Sequence, residues 1–334
     1  MKRFSSSLII GLAALLSLSS CKSDPNAVVL PSISGKPGEI GIVTSKSNWE
    51  SAPGTALRDI LCQDFPFLPQ NEPRYDLFNI PEAAFTKVFQ VHRNLIFVRT
   101  GSDFPEGKFI LNKDVWAAPQ TVVRIEAPDA ETAASVIREN ENSLLAIFNQ
   151  AERDRVITNA RAFEDVSVRQ AVENMIGGSP AFPNGYSIKK VDKDFMWISY
   201  ETTYTNQSFL VYSYPYTSVK QFDASAIAQK RDEVTKEQIP CTTENSYMII
   251  NPMIAPGSEL IRYNGREFVE SRGLWEAYND FMGGPYVSHT FLSQDGTRII
   301  VIDAFVYAPK YKKKNYLKQV ESILYSFRWA DSAK

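Results

Sequence analysis

Residues 287–308 read VSHTFLSQDGTRIIVIDAFVYA. Two runs rich in β-branched and aromatic residues, Val287 to Ser293 and Arg298 to Ala308, flank Asp295-Gly296. An Asp-Gly pair between such runs is a strong hairpin signal, because both residues tolerate the backbone that a tight turn demands. An antiparallel sheet is therefore expected here. Alternation along the second strand places Asp303 on one face with Ile299, Val301, Phe305 and Tyr307. A carboxylate in that apolar company is costly unless a cation meets it. Arg272 and Arg262, on or beside neighbouring strands, are the expected partners. A structural ion pair and a pocket acid are both open readings of Asp303.

Outward from this hairpin the pattern alternates between runs of strands and isolated helices. Toward the C-terminus a helix is expected over Lys312 to Phe327, with Leu317, Val320, Ile323, Leu324 and Phe327 on one stripe. Its start carries Lys310, Lys312, Lys313, Lys314 and Lys318, either a solvated helix start or a contact for an anionic surface. Positive charge at a helix N-terminus is locally unfavourable, so the cluster calls for a reason. Toward the N-terminus, strands are expected over Arg266 to Glu270, Leu260 to Tyr263, Tyr247 to Ile250, Gln207 to Tyr216 and Tyr186 to Tyr204. A helix capped by Asp223 and another over Ser167 to Ile176, stopped by Gly177-Gly178, separate them. Met282-Gly283-Gly284-Pro285 echoes that second stop. Upstream come a strand at Glu39 to Thr44 and a helix over Ser47 to Cys62, interrupted near Pro53-Gly54. Strands follow at Arg74 to Ile80 and Asn94 to Thr100, then an antiparallel pair, Lys108 to Trp116 with Gln120 to Ala127. A long helix opened by Asp129 runs to about Ala160. Between them, Phe65 to Pro73 holds three prolines and is an ordered loop, its aromatics packed inward or offered as a recognition surface.

Strands in runs with helices between them indicate an α+β fold, antiparallel sheets with helices packed on their faces. Two similar-sized halves are expected, 39–162 and 163–334, and the meander and closing helix of the second suit a Mog1/PsbP-like sandwich. Whether the halves form one sheet system or two domains is open.

The first residues carry a different signal. Lys2 and Arg3 precede a short apolar run, Leu8 to Leu18, which ends in Leu18-Ser19-Ser20-Cys21. A basic start, a short apolar stretch and small residues make a secretory signal. The cysteine placed after them resembles a bacterial lipobox. The expectation is a signal peptide over 1–20, lipid on Cys21 as membrane anchor, and a Pro/Gly-rich tether over 21–38. The expected localisation is the cell envelope, lipid-anchored, at the outer membrane. Removing Lys2 and Arg3 leaves 34 basic against 38 acidic residues, a balance that gives no reason to expect nucleic acid. Hydrophobic content of 44% suits an ordinary globular body. Cys62 and Cys241 would be permitted a disulfide in an exported compartment, but two separate buried thiols are the expected state.

Several segments together resemble the DUF4837 lipoproteins of Bacteroidota, a family of unknown function. They are Ser34-Gly35-Lys36-Pro37-Gly38-Glu39, Trp49, Leu68-Pro69-Gln70 with Glu72-Pro73, and Arg93-Asn94. Further on are Gly273-Leu274-Trp275, Phe281-Met282-Gly283-Gly284-Pro285 and Ala304 to Pro309. The resemblance runs over nearly all of the chain after the signal. It implies an envelope location and supplies no catalytic residue.

The chain's own chemistry is sparse. There are two histidines, His92 and His289, and no nucleophile elbow, zinc motif, Walker loop or dinucleotide glycine pattern. No cofactor and no metal are expected. The stretch from Glu267 to His289 gathers charges and aromatics of the kind that line ligand pockets. The candidate binding residues are Glu270, Arg272, Trp275, Tyr286, His289 and Asp303. The leading expectation is a non-catalytic envelope lipoprotein that binds a protein partner or a small ligand. The alternatives are a hydrolase of envelope material using Asp303, His289 or Glu270, and a lipid or small-molecule carrier. Asp331-Ser332-Ala333 resembles a short O-glycosylation signal.

Overall fold

The computed structural model describes residues 29–241 and 243–330. The signal segment 1–20, Cys21, the first part of the tether and Asp331-Ser332-Ala333 lie outside the described residues. The first half comprises β1 (Glu39–Val43), α1 (Lys46–Glu50), α2 (Ala52–Leu61), β2 (Asp76–Ile80), α3 (Lys87–Gln90), β3 (Asn94–Thr100), β4 (Lys108–Lys113), β5 (Thr121–Ala127), α4 (Ala130–Glu139) and α5 (Glu141–Ala162). The second comprises α6 (Val166–Ile176), β6 (Gly178–Ser179), β7 (Ser187–Asp192), β8 (Phe195–Glu201), β9 (Asn206–Pro215), α7 (Ala224–Gln238), β10 (Tyr247–Ile250), β11 (Gly257–Tyr263), β12 (Arg266–Tyr278), β13 (Gly283–Leu292), β14 (Arg298–Tyr307), α8 (Lys314–Tyr325) and β15 (Arg328–Trp329). The chain is α+β.

The first sheet has the order β2-β1-β3-β5-β4. It departs from the antiparallel expectation: β2, β1, β3 and β5 run parallel, and only the edge strand β4 is antiparallel. The cause lies in the connections. Helical segments carry the chain from β1 to β2 and from β2 to β3, returning each strand in the same direction. One face, with Ile40, Ile42, Ile96, Val98, Val123 and Ile125, packs on α2, α4 and α5. The other, with Val43, Leu95, Phe97 and Val122, is covered by Phe85, Phe89 and Trp116. Strand order reverses between β1 and β3, where open parallel sheets often bind ligands. Here Thr44 Oγ1 donates to the Val98 carbonyl (2.7 Å) and Asn48 Nδ2 to Thr100 Oγ1 (3.1 Å), so protein groups occupy the crevice.

The second sheet is antiparallel, in the order β10-β12-β13-β14-β9-β8-β7, and β11 pairs the first part of β12. The strand expected over Tyr186 to Tyr204 is a hairpin, β7 and β8. Alternation along β14 sends Ile300, Ile302, Ala304 and Val306 to a core shared with α6 and α8. It sends Ile299, Val301 and Phe305 to the opposite core, beneath α7. Gly177 closes α6 at φ 77°, as its position after the apolar stripe predicted. The second Gly-Gly pair is not a helix stop. It opens β13, and a Cβ on Gly284 would collide with the Val306 carbonyl of the adjoining strand β14.

The halves are joined by interlocked packing. Phe65 and Ile157, from the first half, belong to the apolar core that α8 shares with the second sheet. The proline-rich loop thus recognises the protein's own second half. Its Glu72, 1% exposed, accepts from the backbone N–H groups of Lys313 (2.6 Å) and Lys314 (3.1 Å), the first turn of α8. Lys314 Nζ reaches Asp76 (3.0 Å) and Lys313 Nζ reaches Gln70 (3.1 Å). Lys313 and Lys314 are therefore buried junction residues, neither a solvated helix start nor part of a surface patch. The tether expected over 21–38 is likewise docked near its end: Ala118 N–H donates to the Pro31 carbonyl and Ser34 N–H to that of Val91. Cys62 and Cys241 are free thiols.

Candidate functional site

Strand β12 positions the candidates through its alternation. Even-numbered Phe268, Glu270 and Arg272 face α8, while Trp275 faces α7. Register pairs Glu270 with His289 of β13, and Ser288 with Asp303 of β14. The six sequence candidates therefore separate into two groups of three on opposite faces of the sheet. Glu270, Arg272 and His289 lie on the α8 side; Trp275, Tyr286 and Asp303 lie on the α7 side.

On the α7 side the charge is enclosed. Asp303, 0% exposed, receives Arg231 of α7 in a two-pronged pair, Nε to Oδ2 at 2.7 Å and Nη2 to Oδ1 at 3.2 Å. The partner is Arg231, not Arg272 or Arg262. Arg262 instead pairs with its neighbour Glu267 at the surface. The Arg231 guanidinium also lies 3.8 Å from the Tyr286 ring centroid, and burial pushes the Tyr286 hydroxyl well above its ordinary range. Trp275 is core, its Nε1 donating to the Val306 carbonyl (3.3 Å).

On the α8 side, buried charges form a chain. Glu270 Oε1 accepts from Arg272 Nε (2.8 Å); its Oε2 accepts from the Tyr325 hydroxyl (2.8 Å) and from His289 Nε2 (3.2 Å). Arg272 continues to Glu321 of α8 (3.0 Å), which also receives Arg153 of α5 (3.0 Å). Arg153 stacks 3.6 Å above Tyr325. His289 lies on Phe268, with ring centroids 3.9 Å apart. Burial pushes its pKa down to about 4, outweighing the support of Glu270, so the ring is neutral near pH 7. With Nε2–H donating to Glu270, Nδ1 is left to accept from Arg266 Nη2 (3.4 Å). Glu270 goes the other way. Burial opposes its charge, but Arg272, His289 and Tyr325 together hold it well below the usual carboxylate range. His92 is a buried ring that bonds the Asn94 carbonyl through Nδ1 (3.0 Å) and packs on Phe78.

This chain of charges forms one wall of a cavity of about 300 Å³ between the halves. Glu270, Arg272, Glu321 and Tyr325 line it from the second half, Arg153, Glu152 and Arg74 from the first. Trp275, Tyr286, His289 and Asp303 do not. A larger groove of about 480 Å³ lies between the β4–β5 edge and α5, remote from every candidate. The half-buried Arg155 in its wall is already engaged by Asn94, Glu152 and the carbonyls of Arg93 and Pro119. The described residues contain no group of three or more side chains suited to a metal, and no helix long and apolar enough to cross a membrane.

Sequence reading missed Arg231, Arg153 and Glu321, and named Lys318 only as part of the lysine cluster at the start of α8. A signal for Arg231 was present: Ile227, Arg231, Thr235 and Gln238 recur at helical spacing, which puts the arginine on the buried face of α7. Glu321 likewise follows Val320 beside the apolar stripe of α8. Nothing local marks Arg153, whose partner is 168 residues away.

Residues 165–326 match the DUF4837 family model, a domain of unknown function. Residues 33–161 match a separate model, DUF8532, also a domain of unknown function. The early segments from Ser34 to Asn94 thus lie within the DUF8532 match and not within the DUF4837 match. No curated protein matches the chain. Among solved structures, one from Bacteroides thetaiotaomicron VPI-5482 aligns at 11% identity and TM-score 0.27, covering 47% of each chain. A point mutant of the protein Mog1 aligns at 12% identity and TM-score 0.29, covering 47% of this chain and 93% of its own. The chain thus spans about half the length of the first of these structures.

Proposed function

We propose that this chain, with its DUF8532 and DUF4837 matches, is a lipid-anchored binding protein of the bacterial cell envelope that holds a partner or small ligand without transforming it. The observation that carries the non-catalytic part is the state of its acid–base residues. Asp303 is sealed from solvent with both oxygens on Arg231, and Glu270 has both oxygens engaged by Arg272, Tyr325 and His289. His289 is fully buried and held neutral by its surroundings. A general base must reach the proton it removes; Asp303 and His289 face protein alone, and Glu270, which lines the cavity, has both oxygens occupied by donors. Anchoring is supported by Lys2, Arg3, the apolar run and Leu18-Ser19-Ser20-Cys21. Among the described residues the first backbone contact with the body is at Pro31, ten residues after Cys21, a span of at most about 35 Å. Lipid on Cys21 would hold the body close to its membrane.

The test is expression of the tagged full chain in a bacterial host with an alkyne-bearing fatty acid, followed by in-cell crosslinking and recovery. Wild type takes up the label and fractionates with membranes, and Cys21→Ala loses both. Recovery of a stoichiometric partner or a bound small molecule supports binding. Turnover of envelope material that Glu270→Gln abolishes without unfolding the chain would overturn the non-catalytic reading.

A further inference from the structure

Around the cavity between the halves, six cationic side chains surround three buried carboxylates. Glu152 is shared by Arg93 (3.3 Å) and Arg155 (3.1 Å). Glu321 is shared by Arg153 and Arg272, and Arg272 is shared in turn with Glu270. Two cations are left over, both in the cavity wall: Arg74 and Lys318. Neither forms an ion pair among the described residues. Arg74 Nε is buried without a hydrogen-bond partner. Lys318 Nζ has only long contacts, 3.4 Å to the Arg74 carbonyl and 3.4 Å to Asn149 Oδ1, and lies over the Tyr75 ring at 4.2 Å. Glu259, which also lines the cavity, is exposed to solvent.

We infer that this cavity is an anion site, in which Arg74 and Lys318 together take the phosphate or carboxylate group of a small acid whose apolar part rests on Pro66 and Ile261. The inference rests on the binding-protein reading above and gives it a ligand chemistry. Cations are held in a partly desolvated cleft at a cost unless a counter-charge meets them. Here the three buried carboxylates are each committed to other arginines, and the exposed Glu259 forms no ion pair with either cation among the described residues, so a bound anion can supply the counter-charge. The guanidinium offers a planar fork and the ammonium a compact charge, a common pairing for oxyanions. The environment of Lys318 agrees. Burial lowers its ammonium to about 8, Lys314 and Arg74 add to the fall, and Glu321 and Glu152 do not restore it. A cavity of about 300 Å³ is at the small end for ligand sites, which suits a metabolite-sized acid or a lipid headgroup.

The depressed lysine supplies the readout. Reductive methylation of the full chain, with mass spectrometry of the Lys318 peptide, reports the neutral amine, and exposed Lys46 serves as internal reference. Without ligand, Lys318 reacts faster than Lys46 near pH 8. Inorganic phosphate or succinate should slow Lys318 by about fivefold with Lys46 unchanged, because a bound anion raises the lysine by about one unit and so lowers its neutral fraction near pH 8. Arg74→Gln should remove most of that protection. Protection by phosphatidylglycerol vesicles but by neither soluble acid assigns the anion to a lipid headgroup; protection by the soluble acids assigns a free ligand. Unchanged labelling with every probe overturns the site, as does equal protection by sodium chloride at matched ionic strength, which would be simple screening. The wild-type arm needs no variant to fold. Fatty-acid labelling and partner recovery are read independently, so an absent anion effect leaves the anchored-protein reading standing, and loss of lipid leaves this site untouched.

Discussion

His289 shows how a single ring fixes a pH limit for the fold. It is 0% exposed, stacked on Phe268, and donates to Glu270 while Arg266 approaches its other nitrogen. Protonation would place a third positive charge beside Arg266 and Arg272, in a site that already resists charge. Its pKa, ordinarily 6.5, falls to about 4 in the folded chain. Between those values the unfolded chain binds the proton and the folded chain does not, so stability is unaffected above about pH 6.5 and falls as pH drops toward 4. Lowering the pH from 7 to 5 should cost wild type about 2 kcal/mol from this residue alone. His289→Gln retains a donor for Glu270 and has nothing to titrate. Urea unfolding at both pH values should therefore show a shallower loss in the variant, by about that amount. Equal losses in the two proteins would mean that the ring is not held neutral.

At the scale of elements, the informative case is the start of α8. A helix whose first turn carries Lys313 and Lys314 should repel its own dipole. The structure answers with Glu72, brought from the proline-rich loop to accept from both backbone N–H groups, while the lysine side chains turn to Gln70 and Asp76. Glu72→Ala leaves two donors orphaned in a buried setting and should cost about 2 kcal/mol. Amide exchange in the first turn of α8 should quicken more than in β14, and uniform quickening would mean that Glu72 does not act as a cap. The same case marks what a sequence can show. Patterns within one element were legible: the Asp129 cap, the Gly177 stop and the face of β14 that holds Asp303. The long helix expected from Asp129 is broken at Asn140, without proline or glycine to mark the break. Pairing across the chain was not legible. The parallel order of the first sheet depends on how crossovers pack, and Asp303 finds Arg231 72 positions away in the sequence. Glu270 and His289 stood out because they sit together in one strand pair. The cations that complete their site come from α5, α8 and the loop before β2.

For the whole molecule, the two family matches meet between residues 161 and 165, yet the packing does not stop there. Phe65, 8% exposed, lies in the second half's core beside Leu317 and Val320. Two helices, α5 and α8, face each other across the junction and share the Arg153–Glu321 pair. Interfaces between independent domains are more polar and allow relative motion; here an aromatic side chain and buried charges cross together. Such coupling makes the halves one cooperative unit, for which scanning calorimetry of the whole chain should give a single transition with calorimetric and van't Hoff enthalpies in agreement. Phe65→Ala removes the crossing ring and should cost about 3 kcal/mol, close to the lower end for emptying a buried phenylalanine site because the loop can partly collapse. If the halves depend on each other, that loss lowers the midpoint of the one transition and leaves both sheets melting together by near-ultraviolet and far-ultraviolet signals alike. Two transitions in wild type would show that the halves fold independently. The cavity between them would then lie at a movable seam, and the charge constellation at Arg74 and Lys318 would form only when the halves close.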